Sequence, residues 1–282
     1  VDVSQAPVWL QAAILGLIQG LTEFLPISSS GHLVLIPQLT RWKHLGKEFD
    51  VALHFGTLLA LMAYFQNDVS RLFEGLFGLL GRVPRRDRSE LTVAERLTLH
   101  VAIASLPAGA LGFFGKDFLH RHFDHMGSIA VCLALFGMML GLADRVGTQG
   151  QDNLSEIPFR GSWKLGLAQA LALLPGVSRS GASMSMALWL GLTRVQAARI
   201  SFLMALPVTA AACLLEAWDV RGAASPNLFY PCLIGITVSA ASGWFSIKAL
   251  LGYLQSHSFT PFVVYRLILA TFLFFWMLTQ PQ

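Results

Sequence analysis

Leu21-Thr22-Glu23-Phe24-Leu25-Pro26-Ile27-Ser28-Ser29-Ser30-Gly31-His32 closes an apolar run, residues 8–25, that is too short to cross a bilayer. About half the chain later, Leu171-Ala172-Leu173-Leu174-Pro175-Gly176-Val177-Ser178-Arg179-Ser180-Gly181 closes a second such run, residues 163–174. Each passes through a polar, glycine-containing loop into another short apolar piece. That pattern reads as a re-entrant helix-loop-helix, because irregular backbone is tolerated at membrane depth only where protein or a wet cavity satisfies its polar groups.

Working outward, the two segments align: Gly16 with Gly166, Gln19 with Gln169, Leu21 with Leu171, Pro26 with Pro175, Ser28 with Ser178, Ser30 with Ser180 and Gly31 with Gly181. Six other stretches have the length and polarity of transmembrane helices, at residues 49–66, 97–115, 126–143, 196–218, 228–250 and 259–278. The expected fold is therefore an all-α polytopic membrane protein made of two repeats. Residues 1–150 hold one re-entrant unit (8–40) and three crossings, and residues 151–282 hold another (163–192) and three more. Three crossings per repeat is odd, so the second repeat is expected to be inverted relative to the first.

Composition agrees with a membrane location. Hydrophobic residues make up 54% and charged residues only 13%, about half the charged fraction usual in soluble domains, and the mean hydropathy is +0.59. A formal charge of +4 does not point to nucleic acid, because the basic residues cluster between apolar spans. Arg71, Arg82, Arg85, Arg86, Arg88 and Arg96 mark one connection as cytoplasmic by the positive-inside rule. The second unit, preceded by Arg145, Arg160 and Lys164, then enters from the cytoplasmic side and the first from the opposite face. Their loops should meet near the midplane. Cys132, Cys213 and Cys232 lie in apolar stretches without metal-binding spacing. The N-terminal run lacks a basic flank and an A-x-A-like cleavage site, so it is expected to be retained as a helix.

The chemistry gathers in the two loops. Glu23, with Gln19 one turn earlier on the same helix face, offers oxygen ligands for a divalent cation or a means of orienting a nucleophile. A cap at the end of a short helix is the plainer account. Ser28, Ser29 and Ser30 bring three hydroxyls to a helix start, where unpaired N–H groups favour anions, although capping alone needs one serine. His32 follows as an acid, base or nucleophile. In the second loop Gly176 and Gly181 bracket Ser178, Arg179 and Ser180, so a guanidinium stands where the first copy has Ser29. A duplicated structural turn would not require an arginine at membrane depth, where an unpaired charge costs at least about 2.5 kcal/mol. Arg266 is the other costly charge, expected to pair with Glu23 or Asp50 or to snorkel to an interface. His54, with Asp50 one turn before it, is a weaker candidate. His100, His120, His122 and His125 read as interfacial or loop residues.

On these residues the chain resembles the bacterial undecaprenyl-diphosphate phosphatase family, also called the bacitracin-resistance family. Gln19 to Glu23 looks like its (E/Q)xxxE motif, Phe24 to His32 like its Phe-Leu-Pro-x-Ser-Ser-x-Gly-His segment, and Pro175 to Ser183 like PGxSRSxxT, with Ser183 where threonine is usual. The resemblance covers nearly the whole length. It implies hydrolysis of a long-chain isoprenyl diphosphate to the monophosphate at a site opening to the periplasmic side of the bacterial cytoplasmic (inner) membrane. That activity would recycle the lipid carrier of cell-wall synthesis and confer bacitracin resistance. It also implies a divalent cation, Mg2+ or Ca2+, held by Glu23 and Gln19.

The expected machinery is Glu23, Ser29, His32 and Arg179 as catalytic groups, with Ser28, Ser30, Gly176, Ser178, Ser180 and Ser183 binding substrate. Ser29 is the preferred nucleophile and His32 the other choice. A homodimer is compatible with the sequence but not specified by it. A transporter or flippase for a phosphorylated isoprenoid lipid would use Arg179 without a nucleophile. A lipid acid-phosphatase is disfavoured because the chain has no Arg-Pro pair.

Overall fold

Eleven α-helices make up nearly all the regular structure of the described residues. The computed structural model describes residues 6–85, 90–123, 125–147, 150, 157–219 and 226–279, so Arg86, Arg88 and the join at 151–156 lie outside them. The elements are α1 (Val8–Phe24), α2 (Ser29–Thr40), α3 (Lys47–Tyr64), α4 (Gln66–Arg85), α5 (Val93–Phe123), α6 (Met126–Val146), α7 (Phe159–Leu171), α8 (Arg179–Trp189), α9 (Arg194–Asp219), α10 (Phe229–Tyr253) and α11 (Thr260–Thr279). No strand occurs among the described residues.

Five helices, α5, α6, α9, α10 and α11, are long and apolar enough to cross a membrane. The chain is a multi-pass membrane protein. Its outward faces carry large apolar side chains such as Phe114, Val131, Leu214, Phe245 and Ile268, which suits lipid rather than water as the surrounding solvent.

The stretch expected as a crossing at 49–66 differs from that expectation. α3 stops at Tyr64, and the chain turns by 87° into α4, so this span qualifies only as a bent pair. Part of the basic connection expected as a loop is thus helix. Val69, Leu72, Phe73, Leu76, Phe77 and Leu80 recur at helical spacing and give α4 an apolar face. Gln66, Asn67, Ser70, Arg71 and Glu74 occupy other positions of its first turns, and the helix is anchored by Arg82 Nε to Glu95 Oε1 (2.7 Å) on α5.

The two expected re-entrant units are helix-loop-helix hairpins with one local geometry. Ser28 and Ser178 both take positive φ, 75° and 69°, and each caps the next helix by accepting from Gly31 N and Gly181 N through its hydroxyl. Ser28 and Ser30 hydroxyls lie 3.3 Å apart, and those of Ser178 and Ser180 lie 3.2 Å apart. The same hydrogen bonds recur in the same order.

Each hairpin packs on a long helix from the other half of the chain. α1 lies along α10, with Gly16 against Gly235 and Gly20 against Ser239 and Gly243, and α3 lies along the same helix, Gly56 meeting Ile236. These three run parallel. α7 lies parallel to α5, joined by His100 Nδ1 and Ser162 Oγ at 2.6 Å and by Gly166 against Ala104 and Pro107. His100, expected at an interface or in a loop, is instead buried in this contact. α3 and α9 run antiparallel, with Phe65 on Phe202 and Asp68 on Arg199 at one end. α6 and α11 are antiparallel too, Gly141 facing Val263 and Gly137 facing Arg266.

Candidate active site

Both hairpin tips reach one cavity of about 220 Å³. It is lined by Glu23 at the end of α1, Ser29 and Ser30 at the start of α2, Ser178 and Arg179 at the start of α8, His54 on α3, and Thr209, Cys213 and Glu216 on the last turns of α9. Two helix N-termini therefore converge on it, each presenting first-turn N–H groups and a positive dipole end, an arrangement suited to an anion.

A chain of short bonds crosses the cavity floor. Ser29 Oγ donates to Glu23 Oε2 at 2.6 Å. Gln19 Nε2 donates to the same oxygen at 3.1 Å, and Arg179 Nη2 donates to Glu23 Oε1 at 2.6 Å. The carboxylate thus orders a hydroxyl from its own hairpin and a guanidinium from the other. Arg179 Nη1 is buried with no hydrogen-bond partner. In a site that has already satisfied Nη2, this unspent donor marks where an anionic oxygen would bind.

The remaining expected site residues sit behind that floor. Ser28 is buried and spends its hydroxyl on the cap. Ser180 donates to the Leu25 carbonyl (3.1 Å), so it ties one hairpin to the other. Ser183 donates to the Arg179 carbonyl (2.6 Å) and lies 2.6 Å from Ser201 Oγ, which fixes the turn bearing the guanidinium. Gly176 has φ +92° and packs on Ile129 of α6, away from the cavity. His32 is buried as well: Nδ1 donates to the Ser28 carbonyl at 2.7 Å, Nε2 lies 2.6 Å from the Tyr265 hydroxyl, and the ring stacks on Tyr265. It does not line the cavity.

Arg266 corrects an expectation. It neither pairs with Glu23 or Asp50 nor reaches an interface. It is fully buried and donates to five backbone carbonyls: Leu133 and Cys132 of α6, Pro26 of the first loop, and Gly176 and Val177 of the second. Carbonyls left open by the two irregular turns receive a charged donor, and both tips are fastened to one point.

Sequence reasoning gave His54 little weight and did not consider Glu216. Both come to the cavity only through the packing of α3 on α9. Single residues on apolar helices carry no local pattern that announces this. For the implied cation, no group of three His, Cys, Asp or Glu side chains among the described residues is arranged to hold a metal ion. Gln19 turns its nitrogen toward Glu23 and leaves Oε1 unpartnered. Both oxygens of Glu23 already accept hydrogen bonds, from Ser29, Gln19 and Arg179, so a cation at this carboxylate would have to share them.

Residues 12–272 match the family of bacitracin resistance protein BacA. The chain belongs to this family. Among relatives of the BacA family, it is 42% identical over 269 residues to an undecaprenyl-diphosphatase of Alcanivorax borkumensis, covering 95% of this chain and 99% of the relative. It is 44% identical to one of Trichlorobacter lovleyi over 91% of this chain and 93% of the relative. A third, from Thermomicrobium roseum, is 43% identical over 93% and 95%.

Proposed function

We propose that this protein is a membrane phosphatase that hydrolyses undecaprenyl diphosphate to undecaprenyl phosphate and inorganic phosphate, returning a lipid carrier to cell-wall synthesis. The observation that carries this reading is the Ser29–Glu23–Arg179 chain with its unpartnered Nη1, built from both hairpins at one cavity. A carrier that only bound its lipid would have no use for a serine hydroxyl held against a carboxylate.

In this reading the terminal phosphate sits over the two helix N-termini. Nη1 of Arg179 binds one of its oxygens, while Glu23 keeps the guanidinium in place. Ser29 Oγ attacks phosphorus and passes its proton to Glu23 Oε2, the P–O bond to the lipid phosphate breaks, and a phosphoserine forms. Arg179 and the first-turn N–H groups stabilise the charge that builds on the transferring group. A divalent cation near Glu23, when bound, supplies further neutralisation of phosphate charge.

The same reading makes the halves an inverted repeat in the bacterial cytoplasmic membrane. Its support is the antiparallel pairing of α3 with α9 and of α6 with α11, which are the equivalent helices of the two halves. α4 carries Arg71 and Arg82, and under the positive-inside rule its side is cytoplasmic. The cavity extends to Glu216, near the opposite end of α9 from the Arg199–Asp68 pair beside α4. That supports an opening on the periplasmic side.

The test is phosphate release by purified protein in detergent from a long-chain isoprenyl diphosphate. Release with no second compartment is the expected result. Binding without release would favour a transporter.

A further inference from the structure

His54 lies on the wall of the same cavity as Ser29 and Arg179. Its Nδ1 donates to the Asp50 carbonyl one turn earlier, at 2.9 Å. That bond fixes the tautomer: in the neutral ring the proton stays on Nδ1, and Nε2 carries the lone pair. The other imidazole near the loops, His32, has both ring nitrogens engaged and stands outside the cavity.

The chemistry calls for such a group. Glu23 receives the Ser29 proton in the first half of the reaction and must return it to Ser29 Oγ when the phosphoserine opens. While protonated, it cannot also take a proton from the attacking water. On this route a second base takes it. The charged and titratable groups around His54 are Glu23 and Arg179, paired with each other, Cys213 and Glu216 from α9, and, on its own helix, Asp50, whose carboxylate is held 3.1 Å from His44 Nε2.

Resting on the phosphatase reading above, we propose that His54 is a catalytic residue, the general base for water in the second half-reaction. The water oxygen bonds to phosphorus and its proton goes to His54 Nε2. The P–O bond to Ser29 breaks, Ser29 Oγ takes back the proton from Glu23, and inorganic phosphate leaves. His54 then loses its proton to solvent.

The experiment compares wild type with His54→Gln, purified in detergent, by rapid-quench labelling of Ser29 and by steady-state phosphate release from an isoprenyl diphosphate labelled in the terminal phosphate. The glutamine variant should form the phosphoenzyme at a near-normal rate and accumulate it, with breakdown slowed about 100-fold or more, the usual range for loss of a general base. A second variant, His54→Ala, should recover breakdown when free imidazole is added. Breakdown at the wild-type rate in His54→Gln would overturn the assignment, as would a folded, monodisperse His54→Ala protein that imidazole fails to rescue. If wild type itself releases no phosphate, the phosphatase reading fails instead, whatever the variants do.

Discussion

Arg179 Nη2 lies 2.6 Å from Glu23 Oε1, although 156 residues separate them. Both side chains are largely buried, at 14% and 9% exposed, so neither charge is stable there without the other. The pair is therefore both the join between the two hairpins and the means of aiming Nη1. Arg179→Lys should keep a charge but lose the planar fork that lets one nitrogen bind Glu23 while the other faces the cavity. We expect kcat/KM for phosphate release to fall about 100- to 1,000-fold, with the protein still inserted and monodisperse. Near-normal turnover would remove Arg179 from the site.

The 2.6 Å bond from Ser29 to Glu23 makes Ser29 the hydroxyl with an acceptor in place. Ser28 spends its own on the helix cap. Trapped phosphoenzyme mapped by mass spectrometry should carry the phosphate on Ser29, and Ser29→Ala should carry none. Label on His32 would overturn the choice of nucleophile.

Arg266 should matter for a different reason. Its removal takes a donor from five backbone carbonyls, three of them, Pro26, Gly176 and Val177, in the two loops. Arg266→Met is expected to lower stability by about 3 kcal/mol or more and to abolish turnover as the tips separate. Arg266→Lys, which has a charge but no planar fork, should restore part of the stability and less of the activity. Thermal unfolding and phosphate release on the same preparations measure both.

The serine hairpins and the duplication were legible in the sequence because each is a local pattern: an apolar run stopped by proline, then serines and a glycine. Glu23, Ser29 and Arg179 were legible for the same reason, standing inside those patterns. The bend between α3 and α4 was not, since Tyr64 to Gln66 carries no glycine or proline and the turn is set by tertiary packing. Arg266 was misread because a lone arginine in an apolar span suggests a carboxylate partner, whereas its partners are backbone carbonyls, which every residue has. His54 and Glu216 gain their place only when α3 and α9 pack antiparallel.

Chelation tests the cation. With Glu23 as the carboxylate nearest the serines and a donor set that relies on phosphate oxygens for completion, affinity should be modest before substrate binds. Phosphate release should fall with a chelator and return on adding Mg2+ or Ca2+, the half-saturating cation concentration dropping as substrate rises. Full activity after exhaustive chelation would exclude the cation from the reaction.

The seam between α1 and α10 carries Glu23 to the cavity. α1 approaches α10 through small residues: a Cβ added at Gly20 would meet the Ser239 carbonyl at 2.6 Å and the Gly243 nitrogen at 2.7 Å. These are backbone atoms and cannot rotate away, so the helices must part, as expected where small residues let backbones approach in a membrane. Gly20→Ala should cost about 1–3 kcal/mol. Because Glu23 lies one turn further along α1, activity should fall at temperatures where the variant is still folded. At Gly252, near the end of α10, an added methyl group would meet nothing within 4 Å; Gly252→Ala should leave turnover unchanged and stability equal or up to about 1 kcal/mol higher. Thermal unfolding followed beside phosphate release separates the two cases, and a Gly20→Ala protein as active as Gly252→Ala would mean that the α1–α10 contact does not set the position of the carboxylate.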